Sequence, residues 1–334
     1  MTEHPKFAVI GGGSWATAIA KMLCVNLPEI AWYMRNTDAI EHLQTHKHNP
    51  NYLSSVEFDP KKLRLTSDIN EAVAYADYII FAIPSAFLNT ELSKLKEIKA
   101  SLKHKVIFSA IKGIVPETFL IVGEHFHKEY DIPYDNIGVI TGPCHAEEVA
   151  LERLSYLTIA CGDDEKAKIV ADCLSGNYIK AKISDDIIGT EYAAMLKNIY
   201  AIAAGIAHGL GYGDNFQSVL MSNGIREMKK FIKKVHKMKR NINDSAYLGD
   251  LLVTGYSVFS RNRMFGNMIG KGYTVKSAMM EMSMVAEGYY AVKSAYKLNE
   301  DYKAKTPIID AVYSILYEGK EAKKVFKKLT DKMD

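Results

Sequence analysis

The sequence predicts an α/β protein: a doubly wound sheet in the N-terminal part, followed by an all-helical C-terminal domain. Two patterns carry that expectation. Short β-branched apolar runs recur at 6–10, 30–34, 78–83, 106–110, 137–141 and 157–160, with helix-patterned stretches between several of them. Strands that read as continuous apolar runs and alternate with helices specify a parallel sheet covered on both faces. Beyond about residue 185 the periodicity is almost entirely helical, broken by glycines at 209–213 and 249–255. The expected domains are therefore 1–186 and 187–334.

The first strand runs into Gly-Gly-Gly-Ser-Trp-Ala at 11–16, where Gly11, Gly13 and Ala16 fit G-x-G-x-x-A at the start of a helix. Each small residue has a task there. Gly11 permits the tight turn, Gly13 lets a pyrophosphate approach the backbone, and Ala16 lets helix and strand pack closely. Exposed N–H groups and the helix dipole would then hold the anion, so this half reads as a Rossmann-like dinucleotide-binding domain.

The second strand ends in Arg35 and Asn36 rather than the acid that usually receives the ribose hydroxyls of NAD. A cation here can accept a 2′-phosphate or stack on adenine, favouring NADP or tolerance of both cofactors over strict NAD. The missing acid also counts against a methyltransferase. The next strand ends are followed by Pro84 and Ser85, by Lys112-Gly113, and by Gly142-Pro143-Cys144, the positions where doubly wound sheets bind ligands. Lys112 is a candidate cation for the site, with a plain surface lysine as the alternative.

The helical domain adds two candidates. Lys197 sits among Ala, Ile, Leu and Tyr in a helix, where burial would disfavour its charge and make it a general acid toward a carbonyl oxygen. The alternative is a lysine that snorkels to water. Residues 249–267 gather Asp250, Thr254, Ser260, Arg261, Asn262 and Arg263 in a glycine-bounded loop leading to a helix. Arg261 offers a planar fork of donors suited to phosphate, against the alternative of a capped helix start on the surface.

Composition excludes several classes. The 334 residues are 48% hydrophobic and 24% charged, ordinary for a globular chain. Forty-two Lys and Arg against thirty-nine Asp and Glu leave a net charge of +3, which makes no electrostatic case for nucleic acid. Cys24, Cys144, Cys161 and Cys173 show no CxxC spacing and read as reduced cytosolic thiols. The segment MTEHPKFAVI has no signal-peptide pattern, and the apolar stretch 192–210 is broken by Lys197, Asn198 and His208, so the chain reads as soluble. His42, His46 and His48 are read as a solvated helix end rather than a metal site, and no metal is expected. Cys144 and His145 are read as adjacent helix residues whose side chains diverge. The stretch from Met228, with Phe231, Ile232, Val235 and Met238 at helical spacing, is read as a core-packed helix with a lysine face rather than a membrane-surface helix.

Taken in order and spacing, GGGSWATAIA, SAIKGI, TGPCHAEEVA, EYAAMLKNIYAIAAGIAHGLGYGDN, GDLLVTGYSVFSRNRMFGNMIGKGY and MVAEG resemble the NAD(P)-dependent glycerol-3-phosphate dehydrogenases of the bacterial type, over nearly the whole chain. The resemblance implies reversible hydride transfer from NAD(P)H to C2 of dihydroxyacetone phosphate, giving sn-glycerol 3-phosphate for phospholipid synthesis. It implies Lys197 as the catalytic proton carrier. For substrate it implies Lys112, Gly142, Cys144, Lys197, Asp250, Ser260, Arg261 and Asn262, with Asn198 and Thr254 close by. For the cofactor it implies Ser14, Trp15, Arg35, Lys112, Ala146, Arg261, Val285 and Glu287, beside Gly11 and Gly13. It also implies a cytoplasmic enzyme, compatible with a homodimer. Three departures stand out: Gly-Pro-Cys replaces the usual Gly-Pro-Ser/Thr, Ala16 replaces a common Gly, and TGYSVFSRNR departs from a common Thr-Cys stretch. The rival readings are a two-domain β-hydroxyacid or sugar-acid dehydrogenase, and a nicotinamide-binding sensor without turnover.

Overall fold

The structure, a computed structural model, describes residues 4–282 and 286–333. It forms two compact units, Met1–Ile111 with Leu120–Ile187, and Lys112–Phe119 with Ile188–Asp334.

The first unit is built on an eight-stranded sheet: β1 Phe7–Ile10, β2 Ile30–Tyr33, β3 Leu63–Thr66, β4 Tyr78–Phe81, β5 Val106–Ser109, β6 Ile137–Thr141, β7 Ser155–Cys161 and β8 Ile179–Ser184. The spatial order is β3-β2-β1-β4-β5-β6-β7-β8. The order reverses between β1 and β4, which pair in parallel with Val9 opposite Ile80. Doubly wound sheets bind ligands outside the carboxyl ends of the strands at such a reversal. The helices of this unit are α1 Ser14–Asn26, α2 Thr37–His46, α3 Ile69–Tyr75, α4 Leu88–Leu92, α5 Ile98–Leu102, α6 Val122–Tyr130, α7 Ala146–Ala150 and α8 Asp164–Leu174.

The strands β1, β2, β4, β5 and β6 are buried along their whole length, so both faces are covered and each reads as an uninterrupted apolar run. The six expected strands are all present. The sequence reading missed β3 and β8 because neither is such a run. In β3 the residues Arg64 and Leu65 are not buried, and in β8 Lys180 and Lys182 are exposed. Both lie at the edges of the sheet, where lysines on one face blunt unwanted pairing. The sheet also departs from the all-parallel expectation at one junction, because β7 runs antiparallel to β6.

The helices of the second unit are α9 Ile187–Gly209, α10 Asp214–Val235, α11 Asp250–Tyr256, α12 Arg261–Gly270, α13 Val275–Glu281, α14 Glu287–Tyr302, α15 Pro307–Leu316 and α16 Ala322–Thr330. A helix that is apolar all round belongs in a core, and in α9 Leu196, Ile199, Tyr200, Ala203 and Ile206 are 0% exposed. The stretch 249–256, expected as a loop, is helical instead: Gly249 has helical φ −61° and ψ −48°, and Gly255 lets the backbone pack against Met221. On α10 the apolar residues Met228, Phe231 and Ile232 are 0% exposed, so this face packs into the core. Met238 lies beyond the end of that helix. Among the described residues no helix is long and apolar enough to cross a membrane.

Glycines fix how α12 lies on α9. A Cβ added at Gly205 would come within 2.1 Å of the Arg263 carbonyl oxygen, and one at Gly266 within 2.1 Å of the Ile202 carbonyl oxygen. Gly209 and Gly270 repeat this one turn later, at 2.4 Å from the Asn267 and Ile206 oxygens. The two helices cross backbone to backbone. Gly266→Ala must push them apart, and chemical denaturation should show a loss of about 2–3 kcal/mol.

Candidate active site

In the first unit, β1 turns at Gly11, whose φ of +132° disfavours any side chain and whose absent Cβ would meet the Ala82 carbonyl oxygen at 2.4 Å. Gly13 caps α1 without a side-chain hydrogen bond, and nothing lies within 4 Å of where its Cβ would stand. Ala16 is 0% exposed against the sheet. No acid occupies the first turn of α1, so the helix itself places no carboxylate against the positive end of its dipole. This cradle, open above Gly13, fits a dinucleotide pyrophosphate.

Ser14 and Trp15 open α1. Arg35 is exposed between β2 and α2, next to Asn36, whose side chain caps α2 through Asp38 N and Ala39 N. Gly142 has φ +118°, and its Cβ would strike the Tyr156 carbonyl oxygen at 2.6 Å. Cys144 is 4% exposed, with Sγ 3.8 Å from that same oxygen. Cys144 and His145 precede α7 rather than lying in a helix, and His145 is its N-cap, with Ala146 the first residue. The rings of His42, His46 and His48 gather with centroids 4.4, 4.8 and 6.4 Å apart.

In the second unit Lys197 is 3% exposed on α9, so it does not snorkel. Its ammonium bonds to Asp250 Oδ1. Burial is the main force on this lysine and lowers its pKa to about 7, opposed by the Asp250 carboxylate and reinforced by Lys112. Asp250 opens α11 and is 1% exposed, and its second oxygen, Oδ2, is buried with no hydrogen-bond partner. Such an orphaned acceptor is costly unless a ligand donor satisfies it. Thr254, one turn on, donates to the Asp250 carbonyl oxygen at 2.6 Å. The Asn198 amide donates to the Lys112 carbonyl oxygen at 3.1 Å, which ties segment 112–119 to α9.

The N-terminus of α12 closes this group. Ser260 is the N-cap, its hydroxyl accepting from Arg263 N at 3.3 Å, and Arg261 is the first helical residue. Asn262 Oδ1 accepts from Gly288 N at 2.9 Å. Gly288 in turn sits so close to the Asn198 carbonyl oxygen and Asn262 Oδ1 that its Cβ would be 2.8 Å from each. The structure thus brings Lys112, Lys197, Asn198, Asp250, Thr254 and Asn262 together, with Glu287 opening α14 beside Gly288. Val285 lies outside the described residues. The sequence reading missed Gly288 and the four helix-crossing glycines. The four-residue spacing of Gly205 with Gly209, and of Gly266 with Gly270, was the available signal.

Two family profiles cover this chain: the N-terminal part of NAD-dependent glycerol-3-phosphate dehydrogenase at residues 6–167, and its C-terminal part at 186–327. The chain belongs to this family. The glycerol-3-phosphate dehydrogenase [NAD(P)+] of Macrococcus caseolyticus is 34% identical over 326 residues, covering 97% of each chain. The corresponding enzyme of an Exiguobacterium strain is 36% identical over 324 residues, covering 96% of this chain and 94% of its own. The crystal structure of glycerol-3-phosphate dehydrogenase from Coxiella burnetii superposes with a TM-score of 0.90 at 26% identity, covering 98% of this chain and 99% of its own. Within the glycerol-3-phosphate dehydrogenase family, the Lys197 and Asp250 pair and the glycine cradle of this member fall inside the matched regions.

Proposed function

We propose that this chain reduces dihydroxyacetone phosphate to sn-glycerol 3-phosphate, reversibly, with NADH or NADPH, and supplies glycerophospholipid synthesis from the cytoplasm as a homodimer. The observation that carries this reading is the buried Lys197 beside Asp250 in a family of glycerol-3-phosphate dehydrogenases. The nicotinamide, when bound, supplies the hydride. Negative charge builds on the carbonyl oxygen during transfer, and Lys197 holds the proton that neutralises it, while Lys112 adds positive charge beside it. Asp250 Oδ2 accepts from a substrate hydroxyl, and Asn198 and Thr254 complete the polar wall. Arg261, with Ser260 and Asn262, binds the substrate phosphate and fixes the reacting carbon. Gly142 and Cys144 contact substrate through their backbone.

On the cofactor, Gly11, Gly13, Ser14 and Trp15 hold the pyrophosphate, and Arg35 meets the adenosine ribose. Lys112, Ala146, Arg261 and Glu287 are assigned to the cofactor as well.

The test is the loss of reduced-nicotinamide absorbance with dihydroxyacetone phosphate, run separately with NADH and NADPH. Turnover supports the reading, and its absence in protein that binds the cofactor sinks it. In the same assay Arg35→Ala should raise the KM for NADPH by about tenfold while leaving that for NADH within about twofold, because one charged contact to the 2′-phosphate is lost. A hydroxyacid dehydrogenase is the weaker reading. D-mandelate dehydrogenase shares the fold alone, with a TM-score of 0.61 at 16% identity.

A further inference from the structure

We infer that Asn49 is a positioning residue for the dinucleotide, acting through the peptide planes of the glycine turn. This rests on the cofactor reading above, not on the identity of the substrate. Three consecutive carbonyls of the turn are each taken by a donor from another part of the first unit or from the start of α1. Gly11 O accepts from Trp32 Nε1 at 2.7 Å, Gly12 O from Asn49 Nδ2 at 3.1 Å, and Gly13 O from Thr17 Oγ1 at 2.9 Å. The Asn49 amide also donates to Thr17 Oγ1 at 3.0 Å, so it holds Gly12 O directly and backs the hydroxyl that, with the Thr17 N–H at 2.9 Å, holds Gly13 O. Its own Oδ1 is fixed by Asn51 N at 3.0 Å. Asn49 is 1% exposed, and Thr17 and Trp32 are 0% exposed, so water does not substitute for these donors.

A trans peptide is planar, and its C=O and N–H point in opposite directions. Holding the carbonyls of Gly11, Gly12 and Gly13 therefore aims the N–H groups of Gly12, Gly13 and Ser14 the other way. These are the donors that a helix N-terminus offers to an anion, and Gly13 leaves the space over them open. Binding then spends no free energy on ordering the turn. The histidine-rich stretch before Pro50 gains a role from this placement: it ends α2 with Lys47 at φ +61° and delivers the buried Asn49 under the turn.

The experiment measures Kd by calorimetry for NADH, NADPH, ADP and adenosine on the full chain, with wild type and Asn49→Leu, which keeps the approximate shape and adds no charge. A lost buried hydrogen bond should weaken NADH, NADPH and ADP by about tenfold each and by a common factor, because all three carry the pyrophosphate. Adenosine binding should not change, and kcat at saturating cofactor should stay within about twofold. This differs from Arg35→Ala, which separates NADPH from NADH. Unchanged Kd values with a lowered Tm would mean that Asn49 is merely structural and would overturn the inference, as would unequal effects on NADH and NADPH. If Asn49→Leu does not fold, Thr17→Val and Thr17→Ser decide: the valine should reproduce the common loss, and the serine, which retains the hydroxyl, should restore affinity. Because these readouts need no substrate, they stand apart from any failure of the dihydroxyacetone phosphate assay.

Discussion

Lys197→Ala should lower kcat/KM for dihydroxyacetone phosphate reduction by roughly a hundred- to ten-thousand-fold, the range a general acid contributes. Binding of NADH and NADPH should stay within about twofold, since the glycine cradle and Arg35 are untouched. The size of the effect follows from where the ammonium sits. Lys197 is buried on an apolar helix, so water cannot deliver the proton in its place. Truncation also removes the cation bonded to the buried Asp250 carboxylate, a loss that costs about 3–5 kcal/mol. A denaturation curve must accompany the rates. Retained folding with collapsed turnover supports the assignment, whereas turnover within about tenfold of wild type contradicts it.

The second large effect is expected at Asp250. Asp250→Asn keeps the shape but removes the charge that opposes the desolvation of Lys197, so the lysine pKa falls below its present value of about 7. At neutral pH the variant is then short of the protonated lysine, and reduction slows. Lys112→Ala works in the opposite direction, because Lys112 lowers the same pKa, and its inflection should move to higher pH. Opposite movements of the two inflections are the result to look for; parallel movements would falsify the coupling.

Stability follows the same sign. The lysine titrates lower in the folded chain than in the unfolded one, so the unfolded state binds the extra proton between the two values, and stability rises with pH across that window. The loss in Asp250→Asn, about 3 kcal/mol, should therefore be largest below about pH 7 and shrink above it, where a neutral lysine needs no counter-ion.

How much of this was legible depends on the kind of signal each residue leaves. Gly11, Gly13 and Ala16 announce themselves because a phosphate turn after a buried strand admits few side chains. Lys197 is conspicuous as a charge in an apolar helix, yet spacing could not decide between burial and snorkelling. The fold decides it: Lys197 is 3% exposed and bonded to Asp250 of α11, a partner 53 positions away. Asp250 and Thr254 stand out as candidates in the sequence but fall in an apparent loop, since Gly249 and Gly255 read as breaks. In the fold Gly255 serves a close helix contact instead. Asn49 left no local signal at all. Its importance lies in two hydrogen bonds to residues more than thirty positions away, which only the folded chain brings within reach. Edge strands β3 and β8 were lost for a related reason: partial exposure replaces the apolar run with alternation.

The most direct test of the central claim is the pH dependence of kcat/KM for the wild type in both directions. Reduction needs Lys197 protonated and oxidation needs it neutral. With the free-enzyme pKa at about 7, the reduction profile should fall and the oxidation profile should rise through the same inflection. Profiles that bend in the same direction, or that stay flat across this range, would contradict a buried lysine as the proton carrier.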